Sequence, residues 1–406
     1  MSALTRKIIL VWLAWAAILF IYQEMVVARF NVLRPDYAEP WTPNETTLNS
    51  QKDKPFLMDP FLNTHVSWDS EFYLQQAVGG YDDSRVRKIP GPGPGGQISL
   101  SYAFFPMYGF VTRLVAFPLR IFGLDEIATA TLGALIVSLL GTLAAMLALA
   151  DLAQPWLDES GRLRAAFYLL IFPSGFFLAQ VYTEGLFMGL AFGSLALARR
   201  HKLLAASALA AAAVWTRAAG AALVIPLGWA VYEQVRQRKV GLLSRRFAGL
   251  SAAALLPLVS FAAFWVSPLG ERFQYMEENY FNRGFLKVGE SIILWIGAFI
   301  NAYNGNTQMA VYNTIEVAIM LISLAAAIAW LYRQPGLALF SLAVWVISVT
   351  SGAPQSTSRY LLAMPTTFLA LAVLGKNQVF DRSWTLASGL VMGMMAALFS
   401  FDMWVG

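Results

Sequence analysis

Phe104-Phe105-Pro106-Met107-Tyr108-Gly109-Phe110-Val111-Thr112-Arg113-Leu114-Val115-Ala116-Phe117-Pro118-Leu119-Arg120-Ile121-Phe122 is the stretch on which the topology turns. It is apolar, but Arg113, Pro118 and Arg120 interrupt it. Such a pattern suits a helix lying in the membrane interface better than one crossing the bilayer. If it crossed, every basic cluster further along would fall outside, against the tendency of Lys and Arg to stay in the cytoplasm. Read flat, it lets residues 128–150 return to the cytoplasm, with Arg162 and Arg164 inside.

Upstream, residues 8–27 form an apolar run long enough to span, with Arg6 and Lys7 on its cytoplasmic side. No small-residue cleavage site follows, so the run reads as an uncleaved anchor. Residues 28–126 then form the first external loop of a single 1–406 membrane domain. That loop holds the interfacial helices, a Pro/Gly-rich piece at 89–96 unsuited to helix, and the Asn44-Glu45-Thr46 sequon. Residues 68–78 suit a short amphipathic helix capped by Ser67.

Downstream, 165–180, 185–198, 203–215 and 218–232 read as two hairpins of short helices, and 247–266 as a further span. Broken backbone at membrane depth must line protein or water, so the outer hairpin ends imply a cavity. Residues 267–308 read as a second external loop with a dipping apolar piece at 292–300. Spans at 311–331, 336–349, 360–374 and 384–403 complete an all-α, polytopic fold of about eleven transmembrane helices.

Composition supports this reading. The chain of 406 residues is 58% hydrophobic and 13% charged, against about 25% charged in soluble domains, and its mean hydropathy is +0.56. A net charge of +5, carried in short basic clusters between apolar runs, points to membrane loops and away from nucleic acid. There is no cysteine, and His65 and His201 are the only histidines, so thiolate and histidine-rich metal sites are excluded. No metal and no cofactor is expected. The 89–96 glycines lack the Gly-Lys-Ser/Thr ending of a phosphate loop.

Four polar sites fall on one face by this topology: Ser67-Trp68-Asp69-Ser70-Glu71-Phe72-Tyr73, Tyr182-Thr183-Glu184, Thr216-Arg217 and Ser356-Thr357-Ser358-Arg359-Tyr360. Each alone is a solvated helix face, a turn, a snorkelling arginine or a helix cap. Together they place acids and two arginines where such groups are costly, which marks a functional site. Arg217 and Arg359 suit a phosphate, bound through forked donors. Asp69 suits a general base. The alternatives are a secondary transporter, which calls for an inverted repeat and mid-membrane charges, and a non-catalytic lipid-phosphate-binding protein, which does not need Asp69.

Trp68-Asp69 with Phe72-Tyr73-Leu74 and Gly80-Tyr81 resembles an element of the PIG-V family, the second mannosyltransferase of GPI-anchor assembly and its bacterial relatives. The resemblance runs on through Phe104 to Tyr108, Phe172 to Phe177, Tyr182 to Phe187, Thr216-Arg217 with Gly220, and Ser358-Arg359-Tyr360 with Pro365. Ser70, Phe72 and the 28–66 insert depart from the pattern. The family belongs to the C-type glycosyltransferase superfamily. The resemblance implies an inverting, metal-independent mannosyltransferase. Its donor is a polyprenyl- or dolichyl-phosphate sugar and its acceptor a glycan or glycolipid. Its catalytic acid lies in the first external loop, here Asp69. Arg217 and Arg359 are the expected donor-phosphate ligands, and Trp68, Glu71, Tyr73, Tyr182, Glu184 and Tyr360 the expected substrate contacts. The expected location is a bacterial plasma membrane, or the ER membrane in a eukaryote, with the active site on the non-cytoplasmic face.

Overall fold

The computed structural model describes residues 2–32, 57 and 59–405, apart from 87, 238, 240, 243, 285, 306 and 353. Asn44, Lys54 and most of the 28–66 insert lie outside the described residues. Helices α1 (Ala3–Arg29), α2 (Pro60–Asn63) and α3 (Ser70–Val78) come first. A minimal antiparallel hairpin follows, β1 (Ile89–Pro90) with β2 (Gln97–Ile98), Ile89 opposite Ile98. Then come α4 (Pro106–Leu119), α5 (Glu126–Leu152), α6 (Glu159–Leu170), α7 (Glu184–Arg199), α8 (Leu203–Val214), α9 (Val224–Arg236) and α10 (Arg245–Trp265). The last set is α11 (Pro268–Asn279), α12 (Val288–Gly305), α13 (Thr307–Trp330), α14 (Pro335–Val349), α15 (Thr357–Leu361), α16 (Pro365–Leu374) and α17 (Gln378–Phe399).

The protein is therefore all-α and integral to the membrane. Five segments of the described residues are long and apolar enough to cross it: Ala3–Arg29, Glu126–Leu152, Ala218–Arg236, Arg245–Trp265 and Thr307–Trp330. Leu203–Val214, Pro335–Val349 and Pro365–Leu374 are shorter apolar helices. Helix α5 is central, packed against α1, α3, α4, α6 and α7. It meets α7 backbone to backbone: a Cβ on Gly141 would lie 2.5 Å from the Gly185 carbonyl carbon, and one on Gly185 would lie 2.2 Å from the Ser138 oxygen. Small residues permit this approach, which supplies contact between membrane helices without a hydrophobic driving force.

The segment at 104–122 is a helix of 14 residues, α4, followed by a 3₁₀ turn at Arg120–Phe122. Its Phe110, Leu114, Phe117 and Ile121 are exposed, a face suited to lipid, while Ala116 packs on Gly133 of α5. Arg113 does not line the cavity described below. Its guanidinium donates to the carbonyls of Ala77 (2.7 Å) and Gln76 (3.0 Å) at the end of α3, where a cation offsets the exposed carbonyl dipoles.

Several expectations are corrected. The span expected at 165–180 is a half-helix: α6 stops at Leu170, and residues 171–183 are non-helical apart from a 3₁₀ turn at Gly175–Ala179. Pro173 accounts for the stop, because the residue before proline is pushed out of helical geometry. The segment expected at 267–308 as an external loop carries two helices, α11 and α12, the second containing the apolar piece at 292–300; Ser267 caps α11, accepting from Gly270 N at 3.1 Å, and Pro268 opens it. Ser67 does not cap α3. The helix begins after Asp69, and the Ser67 amide donates to Ser70 Oγ (3.1 Å).

Candidate active site

Two segments outside the long helices, 171–183 and 354–364 with its short helix α15, meet in the interior. Their carbonyls are met by side chains, as backbone away from water requires. From α5, Thr142 Oγ1 donates to Leu178 O (2.8 Å) and Ser138 Oγ to Tyr182 O (3.0 Å). Ser388 Oγ of α17 donates to Ile171 O (2.7 Å), and Ser174 Oγ joins the two segments by donating to Ser358 O (3.0 Å). Trp68 has φ +53° and Ser356 φ +61°. Both are non-glycine residues in left-handed geometry beside the acid and the arginine predicted for chemistry, and such backbone persists only where its surroundings hold it.

Beneath these segments lies a cavity of about 720 Å³, within the usual range for small-molecule sites. Of the predicted residues, Trp68, Asp69, Glu71, Tyr73, Arg217, Arg359 and Tyr360 line it. Asp69 sits at the start of α3 with its Oδ2 accepting from Arg359 Nη1 at 2.9 Å. Arg359 is 4% exposed and also faces Glu184 Oε1 (Nε at 3.4 Å). Arg217 donates to the same Glu184 oxygen. Two acids and two arginines from four separate stretches thus form one chain of charge, Asp69–Arg359–Glu184–Arg217.

Tyr182 and Glu184 stand behind this wall. Both are fully buried. Glu184 serves the cavity by neutralising two guanidiniums, because a buried cation without a partner is costly. Tyr182 donates from its hydroxyl to Ser67 O (3.0 Å) and places its ring 4.9 Å from the Arg359 guanidinium carbon. It therefore joins the strand of chain before Asp69 to the arginine opposite. Arg217 extends from an abrupt chain reversal after α8. Gly220 permits it: a Cβ there would lie 2.5 Å from Val214 N.

The sequence reading missed part of the lining. Glu277 and Glu278 of α11, with Arg283 and Lys287 beyond it, also line the cavity. Arg283 donates to Gln355 O (2.8 Å), and its backbone pairs with Gly352. Three guanidinium carbons approach the ring of Tyr360: Arg217 at 4.4 Å, and Arg283 and Arg359 at 5.2 Å each. The negative face of an aromatic ring offsets part of such a cluster. The run Glu277-Glu278-Asn279-Tyr280-Phe281-Asn282-Arg283 was the legible signal, a charged stretch in a loop already placed on the external face.

Burial, with the Asp69 carboxylate second, pushes the Tyr73 phenol well up, so Tyr73 is neutral beneath the acid. Burial raises the half-buried Glu277 carboxyl to about 7; Arg283 pulls it down and Asp69 pushes it up. Among the described residues no three His, Cys, Asp or Glu side chains are grouped to hold a metal ion.

No protein-family model matches the sequence, and no curated protein matches it in sequence. Solved structures are similar over nearly its whole length. The oligosaccharyltransferase of Archaeoglobus fulgidus in the apo form matches 97% of this chain at 12% identity with a TM-score of 0.49. This chain spans 56% of that protein's length. ArnT from Cupriavidus metallidurans bound to undecaprenyl phosphate matches 97% of this chain and 76% of its own, at 15% identity and a TM-score of 0.46. The archaeal oligosaccharyltransferase AglB from Archaeoglobus fulgidus, in complex with an inhibitory peptide and a dolichol-phosphate, matches 97% and 56% at 14% identity and a TM-score of 0.47.

Proposed function

We propose that this protein is an inverting membrane glycosyltransferase that takes a sugar from a polyprenyl- or dolichyl-phosphate donor. The observation carrying this reading is that Asp69, Arg359 and Arg217 line a cavity, joined behind it through Glu184, while the remaining lining is largely aromatic and aliphatic. A lipid-phosphate sugar has the matching parts: an apolar chain, one phosphate charge and a hexose. Asp69 accepts the proton of an acceptor hydroxyl. The hydroxyl oxygen bonds to the anomeric carbon from the side opposite the phosphate. The bond from that carbon to the phosphate oxygen breaks, and its electron pair leaves with the lipid phosphate. Arg359 holds Asp69 in place and adds positive charge behind it. Arg217 takes the departing phosphate, as the forked donor geometry suits.

The lining residues between α11 and α12 change how the phosphate charge is shared. Arg217 and Arg359 each have a carboxylate partner already, whereas no ion pair involving Arg283 occurs among the described residues. Arg283 therefore joins Arg217 as a phosphate ligand. Mannose as the sugar, and a glycan or glycolipid hydroxyl as the acceptor, rest on the PIG-V resemblance. The site faces the non-cytoplasmic side. The test is sugar transfer by the purified protein in liposomes, from synthetic polyprenyl-phosphate mannose to a glycolipid acceptor, with the anomeric configuration of product and donor compared. Transfer with inversion is expected. Donor binding without transfer to any hydroxyl acceptor would leave only a lipid-phosphate-binding protein.

A further inference from the structure

Glu316 has no part in the scheme above. It lies within α13, one of the helices apolar enough to cross the membrane, about 14 Å from its N-terminal end at 1.5 Å per residue. It is 0% exposed and does not line the cavity. An acid in such a place is costly and is expected to have a use. Its Oε2 accepts from Ser358 N (2.8 Å) and its Oε1 from Ser358 Oγ (2.6 Å), and the Tyr312 hydroxyl is a further hydrogen-bond partner of the carboxyl group. One turn earlier on the same helix face, Tyr312 OH accepts from Ser356 N (2.9 Å). The Ser358 carbonyl is held by Ser174.

The amide, carbonyl and hydroxyl of Ser358 are thus all held, just after the left-handed turn at Ser356. The next residue is Arg359, whose guanidinium lies 2.9 Å from Asp69 Oδ2. A long arginine side chain reaches a fixed point only if the backbone at its root is fixed. A displacement of about 1 Å is enough to lower a rate about a hundredfold. We infer that Glu316 is a positioning residue that acts from within the membrane helix α13, using both carboxylate oxygens to fix the strained 356–359 turn so that Arg359 meets Asp69. The inference rests on the proposed reaction, in which Asp69 and Arg359 act together.

The test uses the full chain in liposomes, with Glu316→Ala, Glu316→Gln and Ser358→Ala. Glutamine keeps the clamp, since its carbonyl accepts from the Ser358 amide and its amide group donates to Ser358 Oγ. Hydrogen exchange of the peptide covering 356–361 is measured beside turnover and donor affinity. Glu316→Ala is expected to speed that exchange and to lower turnover about tenfold or more, with donor affinity within about threefold of wild type. Glu316→Gln is expected to restore protection and at least about a third of turnover. Exchange needs no substrate, so faster exchange in Glu316→Ala with an inactive wild type would sink the proposed reaction and leave the clamp standing. Unchanged exchange in Glu316→Ala would overturn the inference whatever the activity. So would faster exchange with undiminished turnover. If Glu316→Ala does not fold, Ser358→Ala decides: it removes one of the two bonds, and wild-type exchange and turnover in that variant overturn the clamp.

Discussion

Replacing Asp69 with asparagine separates the catalytic reading from every binding-only reading, and the structure sets the size of both effects. Asparagine keeps the shape and still accepts a bond from Arg359 Nη1, so the contact at 2.9 Å is weakened but not lost. Arg359 stays cationic, so its bond to asparagine remains charge-assisted, in the class that contributes about 1.5–3 kcal/mol, and the structural cost is a fraction of that, about 1 kcal/mol. Arg359 retains Glu184 at 3.4 Å and the Tyr182 ring at 4.9 Å, so its charge is not left without a partner. Loss of a general base costs about a hundredfold to ten-thousandfold in rate, or at least about 2.7 kcal/mol at 1.36 kcal/mol per decade. The catalytic loss therefore exceeds the structural one. Asp69→Asn is expected to stay folded, to bind a polyprenyl-phosphate sugar within about threefold of wild type, and to transfer sugar at least about a hundredfold more slowly. Single-turnover transfer in liposomes, with direct titration of the donor, measures both. Full transfer by Asp69→Asn would refute the assignment of the base. Equal losses in binding and turnover would make Asp69 a ground-state contact.

Arg217→Ala and Arg283→Ala are each expected to weaken donor binding by about tenfold, one charge-assisted contact apiece, whereas Arg113→Ala is expected to leave it unchanged because that side chain is occupied at the end of α3; equal donor affinity in wild type and both cavity variants would move the phosphate elsewhere. Glu277 has a folded-state pKa raised to about 7, so the native state binds its proton more tightly than the unfolded chain. Its contribution to stability is full below about 4.3, the unfolded value, and is lost as pH rises through about 7. Above that pH its negative charge also opposes the donor phosphate. Donor affinity is expected to fall between pH 6 and 8 (roughly the titration range), and Glu277→Gln to flatten the profile; an unaltered profile in that variant removes Glu277 as the cause. Single cysteines placed in this cysteine-free chain at positions 69 and 200 are expected to react with impermeant reagents from opposite sides of the membrane; labelling of both from one side would invert the topology.

The amino-acid sequence by itself determined that the chain is a helical membrane protein and pointed to part of the cavity lining, Trp68, Asp69, Arg217, Arg359 and Tyr360, but not to Glu277, Glu278, Arg283 and Lys287. Apolar runs and basic clusters identify membrane helices locally, because a bilayer interacts with each segment independently of its partners. Trp68-Asp69, Arg217 and Arg359-Tyr360 were legible for the same reason: charged groups at the ends of hydrophobic runs have few reasons to be there. Tertiary structure decided what those charges do. That Arg359 meets Asp69, 290 positions away in sequence, and shares Glu184 with Arg217 is a fact of packing. Pro173 marks the break after Leu170 in the sequence, but the partners that satisfy the freed carbonyls, Ser138, Thr142 and Ser388, come from other helices. Glu316 illustrates the limit most clearly. In sequence it is a lone acid within an apolar run, and no periodicity reveals its partner. Its role exists only because α13 lies against the 356–359 turn, and hydrogen bonds between segments far apart in the chain leave no local pattern to read.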